Sequence, residues 1–149
     1  MNFIPKKSAF TMVELLVVLM IAAILGASLI PVLNNYLPSA QLSGSIRELT
    51  SALREAQEKA VTEQDQHLIR FVQMSNPPIY QLIKIHNSVE EQIREEQLSN
   101  RITLTLDPVV AQIVFSPDGG PSAATNITLA INGSQKKIDV SPAGFIKIE

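Results

Sequence analysis

Between Phe10 and Leu33, nineteen of twenty-four residues are apolar, and this run limits what the chain can become more than any other feature. At about 1.5 Å of rise per residue, a helix of that length spans about 36 Å, more than the roughly 30 Å of bilayer hydrocarbon. The run therefore predicts one membrane-crossing helix over residues 10–33. Lys6 and Lys7 stand just before it. A basic flank stays on the cytoplasmic side, which sends the rest of the chain outward. A secretory signal peptide fits the run poorly. It needs an apolar core of about 7–15 residues and then a small-x-small cut site, and the nearest such position, Ala40, follows Pro38. A plain membrane anchor accounts for the length but not for Glu14, an acid five positions into the run. Such a group costs about 2.5–3.5 kcal/mol at mid-membrane and less near the interface.

Composition narrows the chemistry. The chain of 149 residues has no cysteine, which excludes a disulfide scaffold, a thiol nucleophile and a cysteine-held metal. His67 and His86 are the only histidines. Each falls on a candidate strand without a partner motif, which reads as packing or surface rather than as a general base. Asp118 with Gly119-Gly120 reads as a turn, and no phosphate-binding glycine loop is present. Neither a catalytic residue, a metal site nor a cofactor is expected. Twelve basic against fourteen acidic residues give a net charge of −2, which rules out a strongly basic nucleic-acid binder.

Beyond the apolar run the helical pattern continues. Pro31 and Pro38 each remove a backbone donor, and Pro31 is a candidate helix kink. Ile46, Leu49, Leu53, Ala56 and Ala60 then form one stripe, with Arg47, Glu48, Arg54, Glu55, Glu58 and Lys59 opposite. From His67 the period changes to two. Seven strands are expected over 67–73, 79–86, 101–106, 111–116, 126–131, 136–141 and 144–148, and Asn132-Gly133 signals a tight hairpin. The acidic stretch 87–99 reads as a solvated loop or short helix. The fold class is α+β, a long amino-terminal helix packed on one antiparallel sheet or two. Residues 34–66 form the amphipathic half of the helix, and 67–149 a β-rich head.

The run Ala9-Phe10-Thr11-Met12-Val13-Glu14-Leu15-Leu16-Val17-Val18-Leu19 resembles the class III signal of type IV prepilins and pseudopilins. The resemblance implies that residues 1–9 are a basic leader removed by prepilin peptidase between Ala9 and Phe10. Ala9 stands where the family usually has glycine. Phe10 would then be N-methylated, Glu14, four residues after Phe10, would be the family's acid, and Pro31 would match its mid-helix proline. The physical logic is electrostatic. The cut exposes a charged amine at Phe10, which a carboxylate in low dielectric attracts far more strongly than in water. Glu14 can meet its own amine or that of a neighbouring subunit already in a filament, so it reads as an assembly residue.

Three further segments resemble the GspH/FimT group of minor pseudopilins, and are similar also to Gram-positive competence pseudopilins. They are Leu53 to Val61, Ile113 to Gly119 and Lys137 to Gly144. The resemblance implies a non-enzymatic subunit of a type II secretion or type IV pilus machine. It would be held in the inner (cytoplasmic) membrane, with its head periplasmic or extracellular. Its partners would be prepilin peptidase, other pilin-like subunits and the inner-membrane assembly platform. A competence role would bring DNA. Loss of Lys6 and Lys7 leaves ten basic against fourteen acidic residues, a net of −4, which repels phosphate on average. Lys136, Lys137 and Lys147 are the weak candidates for such a contact. A single-pass anchored binding protein that never polymerises is the remaining reading.

Overall fold

The computed structural model describes residues 10–72 and 75–149, with the side chains of 28–35 outside the described set. Helix α1 runs from Met12 to Glu63. The chain divides into two compact units between Leu37 and Pro38. In the first, α1 is apolar all round. The large side chains from Phe10 to Leu25 are each 47–78% exposed, an apolar surface on every side of the helix.

In the second unit α1 becomes one-sided. Leu42, Ile46, Leu49, Leu53, Ala56 and Ala60 are buried, spaced by alternating fours and threes as a core-facing helix requires. The stripe expected from Ile46 thus begins a turn earlier, before Gly44, and widens to Ala52 and Thr50. Thr50 is tolerated there because its hydroxyl donates to the Ile46 carbonyl (2.7 Å). The helix ends where Gln64 takes a positive φ of 57°. Gln64 also satisfies a terminal carbonyl by donating from Nε2 to Val61 O (2.7 Å).

Eight strands follow: β1 (Gln66–Val72), β2 (Ile79–His86), β3 (Val89–Gln97), β4 (Thr103–Asp107), β5 (Gln112–Phe115), β6 (Thr125–Ile131), β7 (Ser134–Val140) and β8 (Ile146–Ile148). They make two antiparallel four-stranded sheets, ordered β3-β2-β1-β5 and β4-β6-β7-β8. Strand β6 shows the cleanest alternation, with Thr125, Ile127, Leu129 and Ile131 buried and the residues between them half-buried. One core joins the α1 stripe to Ile69, Phe71, Tyr80, Leu82, Ile113 and Phe115 of the first sheet. Leu106, Ile127, Leu129, Ile138 and Val140 of the second complete it. Asn132-Gly133 forms the expected tight turn, with φ of 48° and 81°.

The stretch 87–99 corrects the sequence reading. It is neither loop nor helix: Asn87 and Ser88 both take positive φ, a two-residue hairpin turn, and β3 returns along β2. Its glutamates hid it, because an edge strand that buries no face has no apolar alternation to read. Side-chain pairs hold it instead. Arg94 reaches Glu55 of α1 (3.1 Å), Gln81 donates to Glu95 (2.7 Å), and Arg70 forms a double hydrogen bond to Glu90 (2.7 and 2.9 Å).

Candidate functional site

The described chain opens on Phe10, exposed, followed by Thr11 as the cap of α1. Glu14 N donates to Thr11 Oγ1 (3.2 Å), and Glu14 Oε2 accepts from Thr11 N (3.5 Å) and from the Thr11 hydroxyl (3.4 Å). This is a reciprocal capping box. It turns the Glu14 carboxylate back toward the start of the helix, where the macrodipole favours a negative charge. The signal lay in plain view as Thr11-Met12-Val13-Glu14, a Thr-x-x-Glu before an apolar run. Ala9, Lys6 and Lys7 lie outside the described residues, as does the side chain of Pro31; α1 itself continues through Pro31. Among the described residues no helix is long and apolar enough to cross a membrane. The side chains of residues 28–33, within the expected span, lie outside the described set.

The three lysines considered for DNA do not form one patch. Lys136 pairs with buried Leu129, whereas Lys137 pairs with Thr128, so the two project from opposite faces of β7. Lys147 shares the face of Lys137, but Asp139 stands opposite it in register and Glu149 lies 3.5 Å away. Acids and bases alternate on that face.

The two histidines are close to a polar chain at the end of α1. Lys84 Nζ contacts Glu63 (2.6 Å) and Asp65 (3.1 Å), and Asp65 receives His86 Nδ1 (2.8 Å). The Lys84 ammonium above all holds Glu63 below the usual carboxylate range, and His86 followed by Lys84 does so for Asp65. His67 is fully buried, with Nε2 3.5 Å from Glu63. No group of three or more acidic or histidine side chains among the described residues could hold a metal. Burial, with Glu48 and Glu96 adding to it, raises the Tyr80 phenol far above its ordinary value, so it stays a neutral core group. This arrangement ties helix to sheet.

The three segments singled out in the sequence meet at one point. Gln57 Nε2 of α1 donates to Gly119 O (2.8 Å) and to Gly144 O (2.9 Å). Gly144 has a φ of 82°, and a Cβ there would lie 2.7 Å from Gln57 Nε2 and 2.8 Å from Gly119 O. Only glycine lets the two turns close on the helix. Sequence reasoning noted the glycines but passed over Gln57, whose single polar side chain binds both turns.

Comparison with known proteins agrees. Residues 45–144, which include Gln57, Gly119 and Gly144, match the family described as type II transport protein GspH. Residues 4–30 match the prokaryotic N-terminal methylation motif. Among solved structures, the chain is similar to the type IV minor pilin FimU of Pseudomonas aeruginosa, with a TM-score of 0.66 at 16% identity, covering 76% of this chain and 92% of that one. It is also similar to the minor pseudopilin EpsH of the type 2 secretion system of Vibrio cholerae, with a TM-score of 0.61 at 9% identity, covering 72% and 94%. At such identities the likeness is one of fold. Among curated proteins, none matches the sequence. With a capped apolar helix, a two-sheet head pinned to it and a family match over well over half its length, the chain belongs to the GspH family of non-enzymatic, pilin-like minor pseudopilins.

Proposed function

We propose that this pseudopilin is cut between Ala9 and Phe10 by prepilin peptidase, N-methylated at Phe10 and assembled into a short filament through Glu14. Residues 10–33 hold it in the inner membrane until assembly, with the head on the far side, where the assembly platform draws it into the fibre. The observation that carries this reading is the capping box. Glu14 is the fifth residue past the cut, and its carboxylate is already turned toward the helix start, where the new amine of Phe10 arises. In a water-excluded setting a carboxylate and an ammonium attract strongly. An incoming subunit whose Glu14 meets a neighbour's amine is therefore set in axial register. The remaining 10–33 surface, apolar on every side where it is described, suits lipid first and neighbouring helices afterwards.

Intact-mass measurement and amino-terminal sequencing of the mature protein test the first step. A methylated Phe10 start is expected, and a retained Met1 would leave a simple anchor. Glu14→Ala tests the second. It is expected to insert and be cleaved normally yet fail to enter the filament, so normal incorporation of that variant refutes the role given to Glu14.

A further inference from the structure

His67 is fully buried and has no part in filament assembly as read above. It stands on β1 just after α1 ends at Glu63. Each of its ring nitrogens faces an oxygen of that junction. Nδ1 lies 3.4 Å from the Asp65 carbonyl. Nε2 lies 3.5 Å from the Glu63 carboxylate and has no hydrogen-bond partner among the described residues. Both oxygens can only accept. A neutral imidazole has one N–H and one lone pair. Whichever nitrogen carries the proton, the other directs its lone pair at an oxygen, in the interior, where an unmatched polar atom is costly. An imidazolium has two N–H groups and can donate to both oxygens.

The surrounding charges suit that second form. Among the described residues, α1 contributes Glu63 with Lys59 beside it, and the connection to β1 contributes Asp65. Strand β2 contributes Lys84, opposite His67 in register, and His86 on Asp65. On β3, Glu91 stands opposite Lys84, and on β5 the residue opposite His67 is the uncharged Phe115. Three carboxylates meet two ammonium groups, so with both histidines neutral the cluster keeps one negative charge, which one proton cancels. Lys84 above all holds Glu63 below the usual carboxylate range, and His86 followed by Lys84 does so for Asp65, so both acids stay ionised in mild acid. Burial alone opposes a cation on the ring, and a carboxylate at this distance offsets that cost.

We propose that His67 is a proton-operated latch between the end of α1 and the first sheet, closed when its ring carries two protons and slack when it carries one. Closed, the ring donates from Nδ1 to Asp65 O and from Nε2 to Glu63, so that strand, connection and last helical turn are held by one side chain. The proton comes from solvent and returns to it. Histidine ordinarily changes charge near pH 6.5. The latch therefore contributes on the acid side of that range and is lost as the pH rises out of it. It lies wholly within the head and is independent of leader cleavage and filament assembly.

The test is nitrogen NMR of the histidine rings together with amide exchange, on the full-length chain in detergent micelles, from about pH 5.5 to about pH 8. Ring nitrogen shifts distinguish the doubly protonated form from either neutral tautomer. His67 should be doubly protonated at the acid end and reach a single neutral tautomer at the other. Over the same range, exchange at residues 64–67, corrected for intrinsic rates, should speed up about tenfold. His86→Gln removes the exposed histidine that titrates nearby and should leave both changes in place. Glu63→Gln keeps an acceptor but not its charge, and should shrink the exchange step to about threefold or less. His67→Gln, which takes up no proton, should abolish the step, and the ring shifts of the unaltered chain decide the matter even where that variant does not fold. A His67 ring whose charge does not change across the range, a full step in Glu63→Gln, or a step lost in His86→Gln overturns the proposal.

Discussion

At the scale of single residues, Gln57 and Gly144 show how much of the head depends on one contact. Gln57→Ala leaves two turn carbonyls without their donor, at a cost of about 1–3 kcal/mol. Gly144→Ala forces a Cβ into space held by Gln57 and Gly119 at a φ of 82°, and should cost more than Gln57→Ala. Urea denaturation of the two single variants checks the order. The double variant should fall short of the sum, because removing Gln57 clears part of the clash. Leu53, fully buried in the helix stripe, is the simple packing comparison, with Leu53→Ala expected to cost about 2–5 kcal/mol.

At the scale of elements, β3 behaves differently from its neighbours. Burial holds β1, β2 and β6, whereas β3 adds to its backbone ladder with β2 mainly carboxylates that have cationic or amide partners. The Arg70 guanidinium lowers the Glu90 carboxyl, as Lys84 and His86 lower Glu63 and Asp65 nearby. A carboxylate with a depressed folded value contributes fully above its ordinary range, near pH 4. That contribution is lost as the pH falls through the lower folded value. Amide exchange along β3 should therefore accelerate ahead of exchange in β6 as the pH is taken from about 5 toward 3, after correction for intrinsic rates. Glu90→Gln should show a smaller acid-induced change there, having lost the ion pair at the outset. Equal protection loss in β3 and β6 would refute this account. The same pairs explain why the strand escaped a sequence reading: they lie across the sheet, between positions far apart in the chain.

At the scale of the whole molecule, the division at Leu37 separates two kinds of stability. Every core residue among those described lies at Leu42 or beyond, so the second unit contains its own core. The chain truncated to residues 38–149 should melt in one cooperative transition, within a few degrees of the head in the full-length protein, as circular dichroism can establish. Among its described residues the first unit has no such core. Its helix satisfies its own backbone but exposes the described large side chains from Phe10 to Leu25. A large loss of head stability on truncation would mean that the two units support each other.

Local order in this protein was legible from the residues alone. The apolar run, the helix stripe from Ile46 to Ala60, the alternation of β6 and the Asn132-Gly133 turn depend on period and turn chemistry, which are properties of neighbours in the chain. The Thr11–Glu14 cap is of the same kind. The tertiary structure decided what depends on residues brought together from afar: the division of eight strands into two sheets, the pairing of charged β3, the separation of Lys136 from Lys137 and Lys147, and the meeting of Gln57 with two turns. Strand order and cross-strand pairing are set by where distant faces can be buried together, and no single segment carries that information.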